Sequence, residues 1–173
     1  MARAQKPSLP YPVISDAQGL ERKSFAMSAK IYLDIAMTIS EQSPCTRARV
    51  GAVVFREDRK TMLSTGYNGQ ARKSDKILCG GLCCDRDRLQ IQSGDRIEVG
   101  CIHAEMNAIS NAVYEGIALA SASIVVTAPP CLICAKLIVQ SGIKRVYYRG
   151  GDRWVSTGEE FLKGAGVDLI KID

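Results

Sequence analysis

Two short stretches decide how this 173-residue chain folds, Cys101-Ile102-His103-Ala104-Glu105 and Pro129-Pro130-Cys131-Leu132-Ile133-Cys134. Each stretch opens an apolar run with helical periodicity, so both are predicted to lie at helix N-termini. A helix N-terminus carries about half a positive charge and several unpaired N–H groups, which favours the thiolate form of nearby cysteines. The spacing therefore predicts a metal site made by His103, Cys131 and Cys134.

This ligand set predicts a catalytic zinc ion rather than a structural one. Structural zinc sites usually have four protein ligands, whereas catalytic sites have three and keep a position open for water. Water held there is acidified, from a pKa of about 15.7 towards about 7. Glu105, two residues after the chain's only histidine, can reach that position and move protons. The alternative is a zinc-stabilised turn with Glu105 as a surface residue.

Composition bounds the class of protein. The chain is 46% hydrophobic and 24% charged, which suits one globular domain, and we expect residues 1–22 to be a flexible tail and 23–173 the single domain. It has no run of eighteen apolar residues and no secretory signal, so we expect a cytoplasmic protein without a membrane span. Its seven cysteines then stay reduced, which favours metal binding over disulfides. The net charge of +5 fits either a solvated surface with a small basic excess or a positively charged entrance to a site for a phosphorylated substrate.

The remaining pattern alternates helices with strands. It predicts a hairpin followed by helix–strand units, hence an α/β sheet covered on both faces. The long segment from Asn68 to Gly100 is predicted to be a functional loop. The predicted helices are 24–40, 104–114, 131–141 and 158–165, and the predicted strands are 49–55, 62–67, 122–127, 144–148 and 167–172.

Several motifs resemble the deoxycytidylate (dCMP) deaminase family. H-x-E followed by P-C-x-x-C is the general signature of zinc-dependent nucleobase deaminases. Narrower likenesses extend from about Tyr32 to Ile172 and favour dCMP. They are Cys45-Thr46-Arg47, Val50-Gly51-Ala52-Val53, Gly66-Tyr67-Asn68-Gly69, His103-Ala104-Glu105-Met106-Asn107-Ala108-Ile109, Cys134-Ala135-Lys136-Leu137-Ile138 and Gln140-Ser141-Gly142-Ile143-Lys144-Arg145-Val146.

The resemblance implies a three-layer αβα fold around a central mixed five-stranded sheet. It also implies a hydrolase that converts dCMP to dUMP and ammonia for thymidylate nucleotide biosynthesis. Asn68 would contact the sugar or phosphate, and the backbone around Ala104 would hold the base. Family members are often homohexamers under allosteric control, activated by dCTP and inhibited by dTTP. From the residues themselves, the candidates for the phosphate are basic side chains, namely Arg47, Arg49, Arg72, Lys73 and Lys76.

A second, structural zinc is a further expectation from the resemblance. Its ligands would be Cys45, Cys79, Cys84 and Cys101, with Cys83 an alternative to Cys84. Such an ion would hold the long loop from Asn68 to Gly100 in place beside the active site. The alternative is that these cysteines are small buried hydrophobic residues.

One departure from the family leaves the substrate open. The family commonly continues G-Y-N-G with x-P-x-G, but this chain reads Gln70-Ala71-Arg72-Lys73. A modified cytosine nucleotide, or a base in tRNA or single-stranded DNA, is therefore an alternative substrate, although the chain has no aromatic and basic stripe that would favour nucleic acid. A non-catalytic zinc module is the third hypothesis, and the presence of Glu105 argues against it.

Overall fold

The computed structural model describes residues 17–72, 84–92, 100–150 and 157–172. Ten elements follow one another along these residues. They are α1 (Ala17–Ser40), β1 (Gly51–Arg56), β2 (Thr61–Tyr67), α2 (Asp85–Arg88), α3 (Ala104–Tyr114), β3 (Ser123–Val126), α4 (Leu132–Gln140), β4 (Arg145–Arg149), α5 (Thr157–Gly164) and β5 (Asp168–Ile172).

The five strands form one mixed sheet in the order β2-β1-β3-β4-β5. The β1–β2 hairpin is antiparallel, β1 also pairs antiparallel with β3, and β3, β4 and β5 are parallel to one another. Each parallel connection carries a helix across the sheet, as such crossovers require. The predicted three-layer fold with a mixed five-stranded sheet is thereby confirmed.

Helices cover both faces because the strands alternate side chains between two apolar layers. In β1, Ala52 and Val54 face α3 and α4, while Val53 and Phe55 face α1. On the α1 side the rings of Tyr32 and Phe55 stack with centroids 4.1 Å apart. Aromatic pairs of this kind contribute about 0.5–1.5 kcal/mol beyond the area they bury. The two layers fix where α3 and α4 begin relative to the sheet.

A polar network lies at the end of the sheet opposite to the starts of α3 and α4. The Glu57 carboxylate accepts hydrogen bonds from Ser123 Oγ at 2.6 Å and from Tyr147 OH at 3.0 Å, and it forms an ion pair with Arg145. Arg145 in turn contacts Asp168 Oδ2 at 3.0 Å. The network therefore joins the β1–β2 turn to β3, β4 and β5 at one end of the sheet.

Most predicted boundaries differ from the structure by one or two residues, and two differences are larger. The first helix begins at Ala17, seven residues before the predicted start at Ser24 and inside the segment predicted to be a tail. Ala, Gln, Leu, Glu, Arg and Lys in residues 17–23 have high helix propensity, which extends the helix without an apolar face. The segment predicted to be one long loop contains the short helix α2. No helix in the described part of the chain is long and apolar enough to cross a membrane.

Candidate metal centre

The predicted ligands lie at the beginnings of two neighbouring helices. His103 is the N-cap residue of α3, and Cys131 is the N-cap residue of α4. Both have extended backbone, and their carbonyl oxygens accept the first helical hydrogen bonds from Asn107 N–H and Ala135 N–H. Cys131 follows the carboxyl end of β3, and His103 follows Ile102, whose backbone bridges to Gly69 just after β2. The fold therefore brings together two motifs that are 28 positions apart.

The distances between these side chains fit a tetrahedral zinc ion. His103 Nδ1 lies 3.4 Å from Cys131 Sγ and 3.4 Å from Cys134 Sγ, and all three ligand atoms lie within 4.8 Å of one another. Zinc–nitrogen bonds of about 2.0–2.1 Å and zinc–sulfur bonds of about 2.3 Å at a tetrahedral angle separate nitrogen and sulfur by about 3.6 Å. His103 is exposed whereas Cys134 is buried, so the centre opens to solvent on one side.

The two thiols have pKa values shifted in opposite directions. A hydrogen bond with Cys134 lowers the pKa of Cys131 to about 4, and His103 acts in the same direction. The same hydrogen bond, followed by burial, raises the pKa of Cys134. The hydrogen bond with Cys131 also raises the pKa of His103. Binding of zinc by both cysteines as thiolates therefore releases a proton.

Glu105 lies in the first turn of α3 with its side chain buried. It is 4% exposed, although a carboxylate is seldom buried without a partner. Burial raises its pKa, and the nearby His103 charge opposes that shift. A carboxyl group with a raised pKa holds a proton more readily near neutral pH, which suits a group that accepts and returns protons.

Asn68, predicted to contact substrate, is held by backbone groups of this chain. Its side chain is buried, accepts a hydrogen bond from Val50 N–H at 2.8 Å and donates to Ala48 O at 2.9 Å. The amide also lies 3.6 Å from Cys101 Sγ. The next residue, Gly69, forms a two-way backbone bridge with Ile102. Asn68 therefore adjoins the segment that carries His103, and its contact with the sugar stays a prediction.

Ala104 begins α3 in a position where the helix touches β2 closely. It is fully buried, and a Cβ atom on Gly66 would lie 2.4 Å from its carbonyl oxygen. Gly66 is the first residue of the G-Y-N-G motif, so this motif has a packing reason of its own. The first-turn N–H groups of α3 have no partner within the helix and are available to a bound base. The base-binding role of the backbone around Ala104 stays a prediction.

The candidate phosphate ligands lie in three separate places. Arg47 forms an ion pair with Asp87 at 3.1 Å, which ties the segment before β1 to α2. Arg49 is exposed and lines a groove of about 490 Å³ on the α1 side together with Thr127 and Arg149. These two roles in phosphate binding stay predictions.

Arg72 lies away from the predicted ligands, towards the C-terminal end of α3. It donates to Asn111 Oδ1 at 2.5 Å and stacks 4.5 Å above the centre of the Tyr114 ring. Lys73 and Lys76, the other basic residues of the same loop, lie outside the described residues.

The second zinc site falls partly outside the described residues. Cys79 and Cys83 lie outside the described residues, whereas Cys84 is buried and Cys45 and Cys101 are half-buried. Among the described residues, His103, Cys131 and Cys134 form the one group of three or more metal-binding side chains. The second zinc therefore stays a prediction.

Two asparagines with a structural role at this site were not predicted. Asn107 and Asn111 project from α3 and donate hydrogen bonds to backbone carbonyls of β2. Their spacing of four residues on one helix was a signal, because it places both amides on the same face. Which strand edge they meet depends on the strand order, which the sequence pattern alone does not supply.

Comparison with known proteins agrees with this geometry. A family model described as "Cytidine and deoxycytidylate deaminase zinc-binding region" matches residues 27–149. ComE operon protein 2 of Bacillus subtilis (strain 168) is 37% identical over 76% of this chain, which covers 64% of that relative. The deoxycytidylate deaminase of Enterobacteria phage T4 is 31% identical, with 84% of this chain and 90% of that protein covered.

A solved structure has the same fold. The dCMP deaminase from the cyanophage S-TIM5, in complex with dCMP and dUMP, matches with a TM-score of 0.66 and 29% identity. The match covers 83% of this chain and 95% of that one.

Fold and site together define a zinc-dependent deaminase, a hydrolase whose zinc is bound by His103, Cys131 and Cys134. The chain belongs to the cytidine and deoxycytidylate deaminase family.

Proposed function

We propose that this protein converts dCMP and water to dUMP and ammonia, a step that supplies thymidylate nucleotide synthesis. The observation that carries the proposal is the buried Glu105 in the first turn of α3, two residues after the zinc ligand His103. Support for dCMP as the substrate comes from relatives. The phage T4 deoxycytidylate deaminase aligns over nearly its whole length, and the similar cyanophage enzyme has been solved with dCMP and dUMP.

Glu105 carries out the proton transfers in this proposal. The zinc ion, when bound, supplies an acidified water as nucleophile. Glu105 accepts a proton from that water and delivers it to the ring nitrogen beside the carbon that bears the amine. Glu105 then takes the second proton from the hydroxyl group added to that carbon and passes it to the amine, which leaves as ammonia while the carbon–nitrogen bond breaks and a carbonyl forms. General acid–base catalysis of this kind contributes about 10²–10⁴-fold to the rate.

Asn68, Ala104, Arg47 and Arg49 are the proposed substrate contacts. The bridge between Gly69 and Ile102 places the Asn68 segment beside the first zinc ligand, which supports a role near the sugar. The groove that Arg49 lines also contains Asp34 and Glu41, so its role near the phosphate rests on the chemistry of its guanidinium group. We also propose a single domain over 23–173, a cytoplasmic location, a homohexamer, and control by dCTP and dTTP. Because residues 70–73 depart from the family's x-P-x-G pattern, control by dCTP and dTTP needs a test separate from that of catalysis.

A screen of free nucleotides tests the substrate. Purified zinc-loaded protein is incubated with dCMP, CMP, dCTP, and 5-methyl- and 5-hydroxymethyl-dCMP, and ammonia and the product nucleotide are measured. We expect kcat/KM to be greatest for dCMP. Preference for a 5-substituted form assigns the chain to modified cytosine nucleotides instead. Turnover confined to an RNA or single-stranded DNA oligonucleotide overturns the proposal.

A further inference from the structure

The contact between α3 and the sheet is made largely by small side chains. Ala104, Ala108 and Ala112 are all fully buried, and they follow one another at intervals of four residues along one face of the helix. On the opposite side Gly66 meets the helix backbone directly. Alanine and glycine allow a close approach, but they offer few projecting groups that could interlock. Ile109 is the one large apolar side chain of α3 that is buried, so apolar packing alone gives limited resistance to sliding along the helix axis.

Directional hydrogen bonds cross this same contact. Asn107 Nδ2 donates to Tyr67 O at 2.6 Å, and Asn111 Nδ2 donates to Thr65 O at 2.7 Å. β2 is an edge strand, and residues two apart on a strand point their carbonyls the same way. The two amides thus donate hydrogen bonds to carbonyls on the outer edge of β2, at positions where a further strand would otherwise pair.

The spacing on the two elements matches closely. Four residues of helix advance about 6 Å, and two residues of an antiparallel strand advance about 6.8 Å. The pairs run in opposite directions, because Asn107 meets Tyr67 and Asn111 meets Thr65. A slip of one helix residue, about 1.5 Å, would break both bonds at once. The hydroxyl of Ser64 in β2 also donates to Ala108 O at 2.9 Å, and together with that bond the two asparagine bonds define one axial position of α3.

Arg72 fixes the orientation of the second amide. Its guanidinium donates to Asn111 Oδ1 at 2.5 Å, which leaves the Asn111 NH₂ group for Thr65 O. The guanidinium also lies over the Tyr114 ring on the same helix. The arginine stands in the loop where this chain departs from the family pattern. It therefore links that loop to the helix that carries the catalytic residues.

We propose that Asn107 and Asn111 are positioning residues that set the axial register of α3 on β2. Through that register they set where His103 and Glu105 stand relative to Cys131 and Cys134, which belong to a different helix. A displacement of about 1 Å in a catalytic group can cost about 10²-fold in rate. The inference concerns how the active site is held, and it rests on the proposed function only for its kinetic readout.

The test compares Asn107→Ala and Asn111→Ala with a matched control, Ser123→Ala. Ser123 lies at the start of β3, and its loss removes one hydrogen bond to Glu57 far from α3. Each protein is loaded with zinc for kinetics and with cobalt(II) for visible absorption, which reports the geometry of the metal ligands. Thermal unfolding is measured on all four proteins, so that loss of stability is separated from loss of position.

We expect Asn107→Ala to lower kcat by about 10–100-fold with KM changed less than threefold, and to shift the cobalt spectrum. Asn111→Ala should show the same pattern to a smaller degree, and it serves if Asn107→Ala does not fold. Ser123→Ala should keep both kcat and spectrum at a similar loss of stability. An unshifted spectrum with wild-type kcat in both asparagine variants overturns the inference. If wild-type protein lacks dCMP turnover, the proposed function fails, while the cobalt spectra still decide the register.

Discussion

The Nδ1 atom of His103 lies 3.4 Å from the Sγ atom of Cys134, although 31 positions separate the two residues in the chain. Each stands at the beginning of a different helix, and the two helices pack on the same face of the sheet. The geometry of the metal centre therefore depends on the strand order, because α4 follows β3 and begins beside the start of α3. Interactions that fix α3 or α4 on the sheet also determine the ligand geometry.

Metal content tests the number of zinc sites. We predict two zinc ions per chain in protein purified without chelator, measured by elemental analysis against protein concentration. Cys131→Ser should leave one ion and remove turnover, because it disrupts the catalytic centre. Cys84→Ser should also leave one ion but keep measurable turnover, since Cys84 is not a ligand of that centre. A wild-type content of one ion per chain contradicts the second site.

Gly66 tests the close contact between β2 and α3. A Cβ at this position would lie 2.4 Å from both Ala104 O and Ala108 N, which are backbone atoms that cannot rotate away. We predict that Gly66→Ala lowers the free energy of unfolding by about 1–3 kcal/mol, as overpacking typically does. Gly164→Ala is the matched control, because nothing lies within 4 Å of its added Cβ. Denaturant unfolding of both variants checks the prediction, and equal stability would refute it.

Tyr147 makes stability depend on pH in the alkaline range. Burial raises the pKa of Tyr147 to about 12, and the Glu57 charge acts in the same direction. Because the folded state favours the protonated phenol, its contribution is fully present below the unfolded pKa of about 10 and is lost as pH rises through 12. We predict that the stability difference between wild type and Tyr147→Phe shrinks across that window. Tyr114→Phe, at an exposed tyrosine, provides the control.

Much of this architecture could be predicted because its signals are local. The starts of α3 and α4 follow from periodicity and from the two motifs, and each agrees with the structure within one residue. The hairpin follows from two β-branched runs joined by a polar turn. The metal ligands follow from chemistry, since one histidine with a C-x-x-C pair is a ligand set typical of zinc.

What could not be predicted depends on pairing between distant elements. Asn107 is visible in the sequence, but its acceptor, Tyr67 O, is available only because β2 lies at the edge of the sheet. The ion pair between Arg47 and Asp87 joins residues 40 positions apart, and no local pattern in the sequence indicates it. The start of α1 at Ala17 follows from propensity rather than from an apolar stripe, so periodicity missed it.

Replacement of Glu105 tests the central claim most directly. Glu105→Gln keeps the size of the side chain and the three zinc ligands but removes the group that carries the protons. With zinc content equal in both proteins, we predict that dUMP formation from dCMP falls by about 10²–10⁴-fold. Turnover of dCMP by the variant at the wild-type rate, with zinc bound in both, would contradict the assignment of Glu105 as the catalytic residue.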